Sequence, residues 1–329
     1  MTERILNVEN LETTFFTDEG RVPAVDGVSF HLDRGETLAI VGESGCGKTV
    51  TSLSILRLIP NPPGRITGGH IHYNDVDLLA IDEKAMRNIR GNDISMIFQE
   101  PMTSLNPVFT IGRQIMESLV YHQSMTKAAA RERAIEMIQL VGIPSPERCM
   151  ANYPHQLSGG MRQRIMIAMA LACKPKILIA DEPTTALDVT IQAQILRLMI
   201  DLKERTNTAI ILITHDLGIV AQIADRVIVM YAGEAVESAD VRSIFKDPLH
   251  PYTGGLLDSL PKINEEQDKL YTIVGSVPSP RNYPVGCRFA PRCEKAVDRC
   301  HTDKPGLVRM GGREVRCWLY SDEGGRHHA

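Results

Sequence analysis

A glycine-rich loop that contains a lysine is the feature that most limits what this chain can fold into. Residues 42–49 read G-E-S-G-C-G-K-T and fit the pattern G-x-x-x-x-G-K-[ST]. Such a loop needs a strand before it and a helix after it, because its N–H groups must converge on phosphate oxygens at a helix N-terminus. We predict that Lys48 bridges the β- and γ-phosphates of a nucleotide and that the Thr49 hydroxyl ligates Mg²⁺. The loop residues predicted to surround the phosphates are Ser44, Gly45, Cys46, Gly47, Lys48, Thr49 and Val50.

Length, charge and hydropathy exclude several classes of protein. At 329 residues the chain has room for roughly two domains. The net charge of −4, with Lys and Arg dispersed along the chain, predicts no nucleic-acid partner. No run of about 18 apolar residues is present, and the first residues lack the basic and apolar regions of a signal peptide. We therefore expect a cytoplasmic protein without a membrane span.

Alternating strand and helix patterns predict a doubly wound α/β core. Strands are predicted over 28–32, 37–41, 94–98, 176–181, 209–214 and 226–231, and helices over 50–58, 111–122, 126–141 and 161–173. We assign the core to residues 1–99 and 166–245, and a helical subdomain, in which no strand is evident, to residues 100–165. Prolines and cysteines interrupt the pattern over residues 246–329, which predicts a loop-rich extension that does not continue the sheet.

Two adjacent carboxylates, Asp181 and Glu182, end an apolar strand. Taken alone, such a pair is typical of a cap on the next helix. Beside a phosphate loop, the favoured interpretation is that one carboxylate holds a metal ion and the other positions an attacking water. Phosphoryl transfer requires both roles, because it depends on positioning and charge neutralisation. Gln99 and His215 also follow strands, although either residue alone is typical of an ordinary polar turn.

Four cysteines of the extension, Cys287, Cys293, Cys300 and Cys317, follow the spacing C-x5-C-x6-C-x16-C. A disulfide is disfavoured, because cytosolic thiols are mostly reduced. Zinc binds four thiolates, although it more often uses tight C-x2–4-C hooks, which this segment lacks. Four thiolates on a loop-rich scaffold also suit a [4Fe–4S] cluster. The residues by themselves leave free thiols, zinc and an iron–sulfur cluster open.

The motifs together resemble an ATP-binding cassette over about residues 5–245. The family's remaining motifs match Gln99, the signature run at residues 157–163, residues 177–182, residues 186–188 and His215. The resemblance implies a P-loop ATPase core with an antiparallel β subdomain and a helical subdomain. It implies that Glu182 is the general base and that His215 contacts the γ-phosphate. It also implies that Gln99 and Asp181 join Thr49 in holding Mg²⁺.

The same resemblance implies which residue stacks on the adenine ring and implies that two cassettes pair. An aromatic residue upstream of the phosphate loop stacks on adenine in this family, and Phe15 is the predicted residue, with Phe16 as the alternative. The signature run implies a dimer in which two cassettes enclose two ATP molecules head to tail, because its helix N-terminus is an anion site used by the other subunit. The residues implied to contact nucleotide in this way are Ser158, Gly159, Gly160 and Asp188.

Four segments narrow the resemblance to the ATPases of oligopeptide and dipeptide importers. These segments are residues 98–107, 153–161, 181–190 and 250–253. This implies uptake of di- and oligopeptides through two separate integral membrane permease subunits, fed by an external solute-binding protein. It also implies a peripheral location on the cytoplasmic face of the membrane. A related but distinct ATPase subunit is the favoured partner, giving a heterodimer.

Alternatives remain for the solute and for the cysteines. Some relatives carry nickel or other solutes, and a soluble cassette ATPase acting on nucleic acid or ribosomes is the less favoured alternative. The segment from about residue 102 to 123 is the predicted docking surface for the permease. For the four cysteines of the extension, the resemblance favours a [4Fe–4S] cluster over Zn²⁺.

Overall fold

The computed structural model describes residues 3–99, 104–184, 189–260 and 271–321. Two compact units make up the chain, and neither is continuous in sequence. The first unit comprises Met1–Arg4, Leu32–Glu36 and Ala80–Leu212, and the second comprises Ile5–His31, Thr37–Leu79 and Ile213–Ala329. The domain boundaries drawn from the sequence pattern stay a prediction.

The predicted strands and helices all have counterparts, although the strand predicted over 28–32 is the end of a much longer strand that begins at Gly20. The strands are β1 (Arg4–Thr17), β2 (Gly20–Asp33), β3 (Thr37–Val41), β4 (Gly64–Tyr73), β5 (Val76–Asp77), β6 (Ile94–Ile97), β7 (Ile177–Asp181), β8 (Ala209–Ile213), β9 (Arg226–Tyr231), β10 (Glu234–Asp240), β11 (Val308–Met310) and β12 (Arg313–Val315). The helices are α1 (Lys48–Ile55), α2 (Glu83–Ile89), α3 (Ile111–Gln123), α4 (Lys127–Leu140), α5 (Pro146–Cys149), α6 (Gly159–Leu171), α7 (Val189–Thr206), α8 (Leu217–Ile223), α9 (Val241–Lys246), α10 (Pro251–Asp258) and α11 (Asp298–Thr302).

The second unit carries two sets of strands. An antiparallel sheet has the order β2-β1-β4-β5, and a further set has the order β11-β12-β10-β9-β3. β3 and β9 are parallel, with Ile40 opposite Ile228, and every residue of β3 is buried. A parallel strand covered on both faces has a continuous apolar sequence, which is why residues 37–41 predicted β3 correctly. The expected antiparallel β subdomain is also confirmed.

The expectation that the extension does not continue the sheet is wrong. β12 pairs with β10 in antiparallel register, with Glu237 opposite Val315, and β11 pairs with β12. Gly311 and Gly312 form the turn between β11 and β12, with φ of +55° and +83°. Positive φ at both turn residues is what a two-residue hairpin turn needs. The Gly-Gly pair was a usable signal, but strands of three residues are too short to show alternation.

In the first unit, β6 and β7 are parallel and β8 lies beside β7. Helices α3, α4 and α6 pack against one another as a helical group. The predicted N-cap of α4 is confirmed, since the Thr126 hydroxyl accepts a hydrogen bond from the Ala129 N–H at 3.3 Å. Within the part of the chain that the structure describes, no helix is both long and apolar enough to cross a membrane.

Candidate active site

The phosphate loop lies between β3 and α1, as its sequence requires. Gly47 precedes α1 with φ of +94°, and a Cβ at this position would collide with the carbonyl oxygen of Ala24. Only glycine fits both the conformation and the space. Ser44 and Gly45 are exposed at the tip of the loop. The loop therefore offers its backbone at the N-terminus of a helix, which is a site for an anion.

Lys48 lies against the loop from which it projects. Its side-chain Nζ donates to the carbonyl oxygens of Gly42 at 2.8 Å and Glu43 at 2.9 Å. The residue is 7% exposed. Thr49 and Val50 are half-buried in the first turn of α1. A buried ammonium beside backbone N–H groups favours phosphate, because charge-assisted hydrogen bonds are stronger than those to a neutral carbonyl.

Glu43 is held by residues that the sequence analysis did not identify as part of the site. Its backbone N–H donates to the Tyr252 hydroxyl at 2.9 Å, and its carboxylate pairs with Arg292. Burial lowers the pKa of His250 to about 3, so the imidazole is neutral at pH 7. Its Nδ1 then accepts from the Tyr252 N–H at 3.1 Å. The signal for Tyr252 was present in the segment 250–253, whereas Arg292 gave none.

The carboxyl ends of β6 and β7 bring Gln99 and Glu182 together. Ile97 lies opposite Ala180 in the parallel register, so the residues two positions beyond each are neighbours. Gln99 Nε2 donates to Glu182 Oε2 at 3.0 Å. Glu182 has φ of +46°, a conformation that costs about 1–3 kcal/mol for a non-glycine residue and is concentrated at functional sites. Asp181, at the end of β7, is 1% exposed.

The signature run forms the exposed N-terminus of α6. This helix starts at Gly159, two residues before the predicted start, because Ser158 caps it. The Ser158 hydroxyl accepts from the Met161 N–H at 3.3 Å. Gly159 and Gly160 follow in the first turn, where unsatisfied N–H groups and the helix dipole favour an anion. From the same helix, Gln163 Nε2 donates to the carbonyl oxygen of Pro183 at 2.6 Å, next to Glu182.

The remaining predicted residues have varied surroundings. His215 is exposed between β8 and α8. Phe15 is half-buried with its ring against Gly64, whereas Phe16 is 42% exposed with the Arg21 guanidinium 5.7 Å from its ring centre. Phe15 stays the predicted partner of adenine. Asp188 lies outside the described residues.

The four cysteines of the extension influence one another. Burial, with a smaller contribution from charge on the neighbouring cysteines, raises the pKa of Cys287 to about 11 and that of Cys317 to about 12. The Cys287 N–H also donates to the Cys300 carbonyl oxygen at 2.8 Å. Across the described ranges, however, no group of three or more His, Cys, Asp or Glu side chains is placed to hold one metal ion. The described residues therefore show no formed metal site, and the cluster and its zinc alternative stay predictions.

Comparison with known proteins gives three matches to protein families, one of which, described as AAA domain, putative AbiEii toxin, covers residues 152–221. Residues 25–185 match the family described as ABC transporter. Residues 236–300 match the family described as oligopeptide/dipeptide transporter, C-terminal region. The match over residues 236–300 includes the segment that contains Tyr252 and Arg292.

Similar proteins cover nearly the whole chain. The oligopeptide transport ATP-binding protein AppD of Bacillus subtilis is 60% identical, and the match covers 97% of this chain and 98% of AppD. The dipeptide transport ATP-binding protein DppD of Escherichia coli is 49% identical, with 98% of each chain covered. Among solved structures, the ATP-binding cassette MJ0796, determined as a dimer with ADP and Pi, has a TM-score of 0.66 and 28% identity. That match covers 72% of this chain and 99% of MJ0796.

Proposed function

Since the chain belongs to the ABC transporter family and is one of its ATPases, we propose that it powers the import of di- and oligopeptides. In this proposal the peptides pass through two separate membrane permease subunits and are delivered by an external solute-binding protein. The observation that carries the proposal is the match of residues 236–300 to the peptide-transporter C-terminal region. Relatives that match nearly the whole chain, and that are named for oligopeptide and dipeptide transport, also support the proposal.

Reconstitution tests the transported solute. The chain would be assembled with its permease subunits, its partner ATPase and the binding protein in liposomes, and ATP-dependent uptake of labelled di- and tripeptides would be measured. We expect uptake that is lost with Lys48→Ala. Uptake of nickel without peptide would contradict peptide import, and so would hydrolysis stimulated by nucleic acid in the absence of transport.

The site residues have complementary roles in ATP hydrolysis. Residues 42–49 bind the phosphates through backbone N–H groups, and Lys48 contributes its charge to the β- and γ-phosphates. The oxygen donors of Thr49, Gln99 and Asp181 suit Mg²⁺, which supplies charge neutralisation on the phosphates when bound. Glu182 accepts the proton of the attacking water, and His215 contacts the γ-phosphate.

A second cassette completes the catalytic unit. Ser158, Gly159 and Gly160 present their anion site on the exposed end of α6. In the proposed arrangement this end binds the γ-phosphate of the partner's ATP, and Asp188 contacts nucleotide at the same junction. The partner is a related but distinct ATPase subunit, so that the assembly is a heterodimer on the cytoplasmic face of the membrane. The dimeric MJ0796 structure supports a paired assembly.

The permease is proposed to dock on α3 and the residues before it. Val108, Val120 and Tyr121 are 69%, 40% and 62% exposed, a high exposure for large apolar side chains. An open cleft of about 680 Å³, lined by Arg113, Met116 and other residues, lies in the same unit. The predicted docking segment begins at residue 102, and its described part begins at residue 104.

A charge on this surface tests the docking proposal. Tyr121→Asp is expected to weaken co-purification with the permease by at least about tenfold, because a carboxylate would have to be desolvated in an apolar contact. Leu140→Asp, at the exposed end of α4, is the matched control. Equal retention of the permease by both variants and the unsubstituted chain would place the docking surface elsewhere.

The four cysteines of the extension are proposed to hold a [4Fe–4S] cluster, with Zn²⁺ as the alternative. Cys287, Cys293, Cys300 and Cys317 supply the all-thiolate donor set that such clusters use. Each of them is partly buried. Burial, and to a smaller extent charge on the neighbouring cysteines, raises the pKa of Cys317, and a bound cation would offset both effects. When bound, the group would cross-link a segment that has few apolar residues of its own.

Metal analysis after anaerobic purification tests this assignment. We expect a brown protein with about four iron atoms per chain and broad absorbance near roughly 400 nm, lost in Cys293→Ser. Cys173→Ser, which changes a buried cysteine outside the extension, should leave the iron content unchanged. About one zinc atom and no iron would establish the alternative, and absence of both metals would indicate free thiols.

A further inference from the structure

One arginine of the extension is bonded directly to the phosphate loop. Arg292 Nη1 donates to Glu43 Oε2 at 2.6 Å, and Arg292 Nη2 donates to Glu43 Oε1 at 3.0 Å. The two bonds are parallel, which is the strongest geometry for a guanidinium and a carboxylate. The residues are 249 positions apart in sequence. The contact therefore joins the loop to the part of the chain that carries the cysteines.

The Arg292 guanidinium is held in this position by further hydrogen bonds. Its Nε donates to the Val274 carbonyl oxygen at 3.0 Å, and its Nη2 also donates to the Ile273 carbonyl oxygen at 3.3 Å. Nη1 donates in addition to the Tyr231 hydroxyl at 3.3 Å. Together with the two bonds to Glu43, these contacts match the five N–H donors that an arginine has. The side chain is 4% exposed, so Arg292 is a fixed anchor rather than a mobile surface charge.

Glu43 is also held through its backbone. The Tyr252 hydroxyl accepts from the Glu43 N–H at 2.9 Å, while Arg292 holds the carboxylate. Tyr252 is itself immobilised in an aromatic cluster, with ring centres 4.6 Å from Tyr231 and 5.4 Å from Phe289. Two independent contacts from the C-terminal region thus fix the main chain and the side chain of the same loop residue.

We propose that Arg292 is a positioning residue for the ATPase reaction, acting through Glu43 to hold residues 42–49 in the shape that binds phosphate. The proposal rests on the role proposed above for this loop. In this role Arg292 does not touch the nucleotide. Its effect follows from population arithmetic, since the apparent dissociation constant equals the intrinsic constant divided by the fraction of loops in the competent shape.

Loss of the Arg292 contact is expected to weaken the affinity for nucleotide and to leave the rate of the hydrolysis step nearly unchanged. If Arg292→Met lowers the competent fraction to about one tenth, the KM for ATP of the assembled transporter rises about tenfold. Once ATP is bound the loop is in the competent shape, so kcat should stay within about twofold. Glu43 is 31% exposed, so water can solvate its carboxylate when the arginine is removed. The variant is therefore expected to fold.

Matched variants separate this role from a general effect on the extension. Arg299→Met removes the same type of side chain next to Cys300, but Arg299 stacks on Trp318 at 3.7 Å and pairs with Asp303. The KM for ATP of the Arg299→Met variant should be unchanged. Glu43→Gln should raise KM as Arg292→Met does, and the double variant should be no worse than either single one. Arg292→Lys should restore only part of the affinity, because lysine cannot form the bidentate pair.

Several outcomes would overturn the proposal. An unchanged KM in Arg292→Met would do so, as would additive effects of Arg292→Met and Glu43→Gln or an equal effect of Arg299→Met. Binding of a fluorescent ATP analogue to the full chain gives the same comparison without the partner subunits. Lys48→Ala tests the loop separately from Arg292, because undiminished ATP binding in that variant would remove the proposed role of the loop itself. The metal content of Arg292→Met should also be measured. If it equals that of the unsubstituted chain, the change in KM does not come from the cysteines.

Discussion

Replacement of Glu182 by glutamine is expected to slow ATP hydrolysis by about 10²- to 10⁴-fold while ATP remains bound, the range typical for loss of a general base. Glutamine has the shape of glutamate and keeps an oxygen that can accept the hydrogen bond from Gln99, which is 3.0 Å long in the structure. The variant therefore removes the proton acceptor and can keep the contact with Gln99. Steady-state hydrolysis and ATP retention should be measured in the assembled transporter.

The matched control for this prediction is Glu204→Gln, on the exposed C-terminal part of α7. It makes the same chemical change and is expected to leave hydrolysis unaffected. Near-normal turnover in Glu182→Gln would remove Glu182 as the base. Loss of ATP retention together with hydrolysis would instead indicate that the residue is needed for binding.

Replacement of Ser158 by arginine is expected to abolish hydrolysis at the partner's site and to affect the chain's own phosphate loop far less. The change places bulk and positive charge at the N-terminus of α6, where the helix dipole already disfavours a cation. It also removes the cap on the Met161 N–H. The measurement is hydrolysis in heterodimers in which one or the other site has been disabled, and we expect at least about a 10²-fold loss at the partner's site.

Thr126→Arg controls for the lost cap, since Thr126 caps α4 and is also exposed. Either substitution should lower the free energy of unfolding by about 1 kcal/mol. Only Ser158→Arg should block hydrolysis. If the partner's site works normally in Ser158→Arg complexes, the head-to-tail arrangement does not apply to this protein.

Local sequence patterns predicted most of the secondary structure and placed Gln99 and Glu182 after strands, although they did not predict the contact between the two residues. The phosphate loop, the strands that end before Gln99 and at Asp181, and the signature helix each depend on residues close in sequence. Parallel strands then place their carboxyl ends at one edge, so neighbouring strands imply neighbouring polar residues. The family match confirms the cassette fold, whereas the individual catalytic roles stay proposals.

The contacts that join distant segments could not be predicted. Arg292 and Glu43 are 249 positions apart, and nothing near either residue signals a partner. The Arg288 guanidinium reaches Asp26 and the Ala232 carbonyl oxygen in the same way. Such pairs depend on how the extension folds back within its unit. Cysteine spacing likewise indicated a donor set but could not fix the positions of the sulfur atoms.

The β11–β12 hairpin has a consequence for the solution behaviour of the protein. A strand at the margin of a sheet offers a row of unpaired backbone groups to any other chain, which is a route to aggregation. Here β12 occupies the free side of β10, so the exposed margin is the three-residue β11, which carries the charged Arg309. A margin so short and charged is poorly suited to strand addition from a neighbouring molecule. The hairpin thus limits self-association of the protein through this side of the sheet.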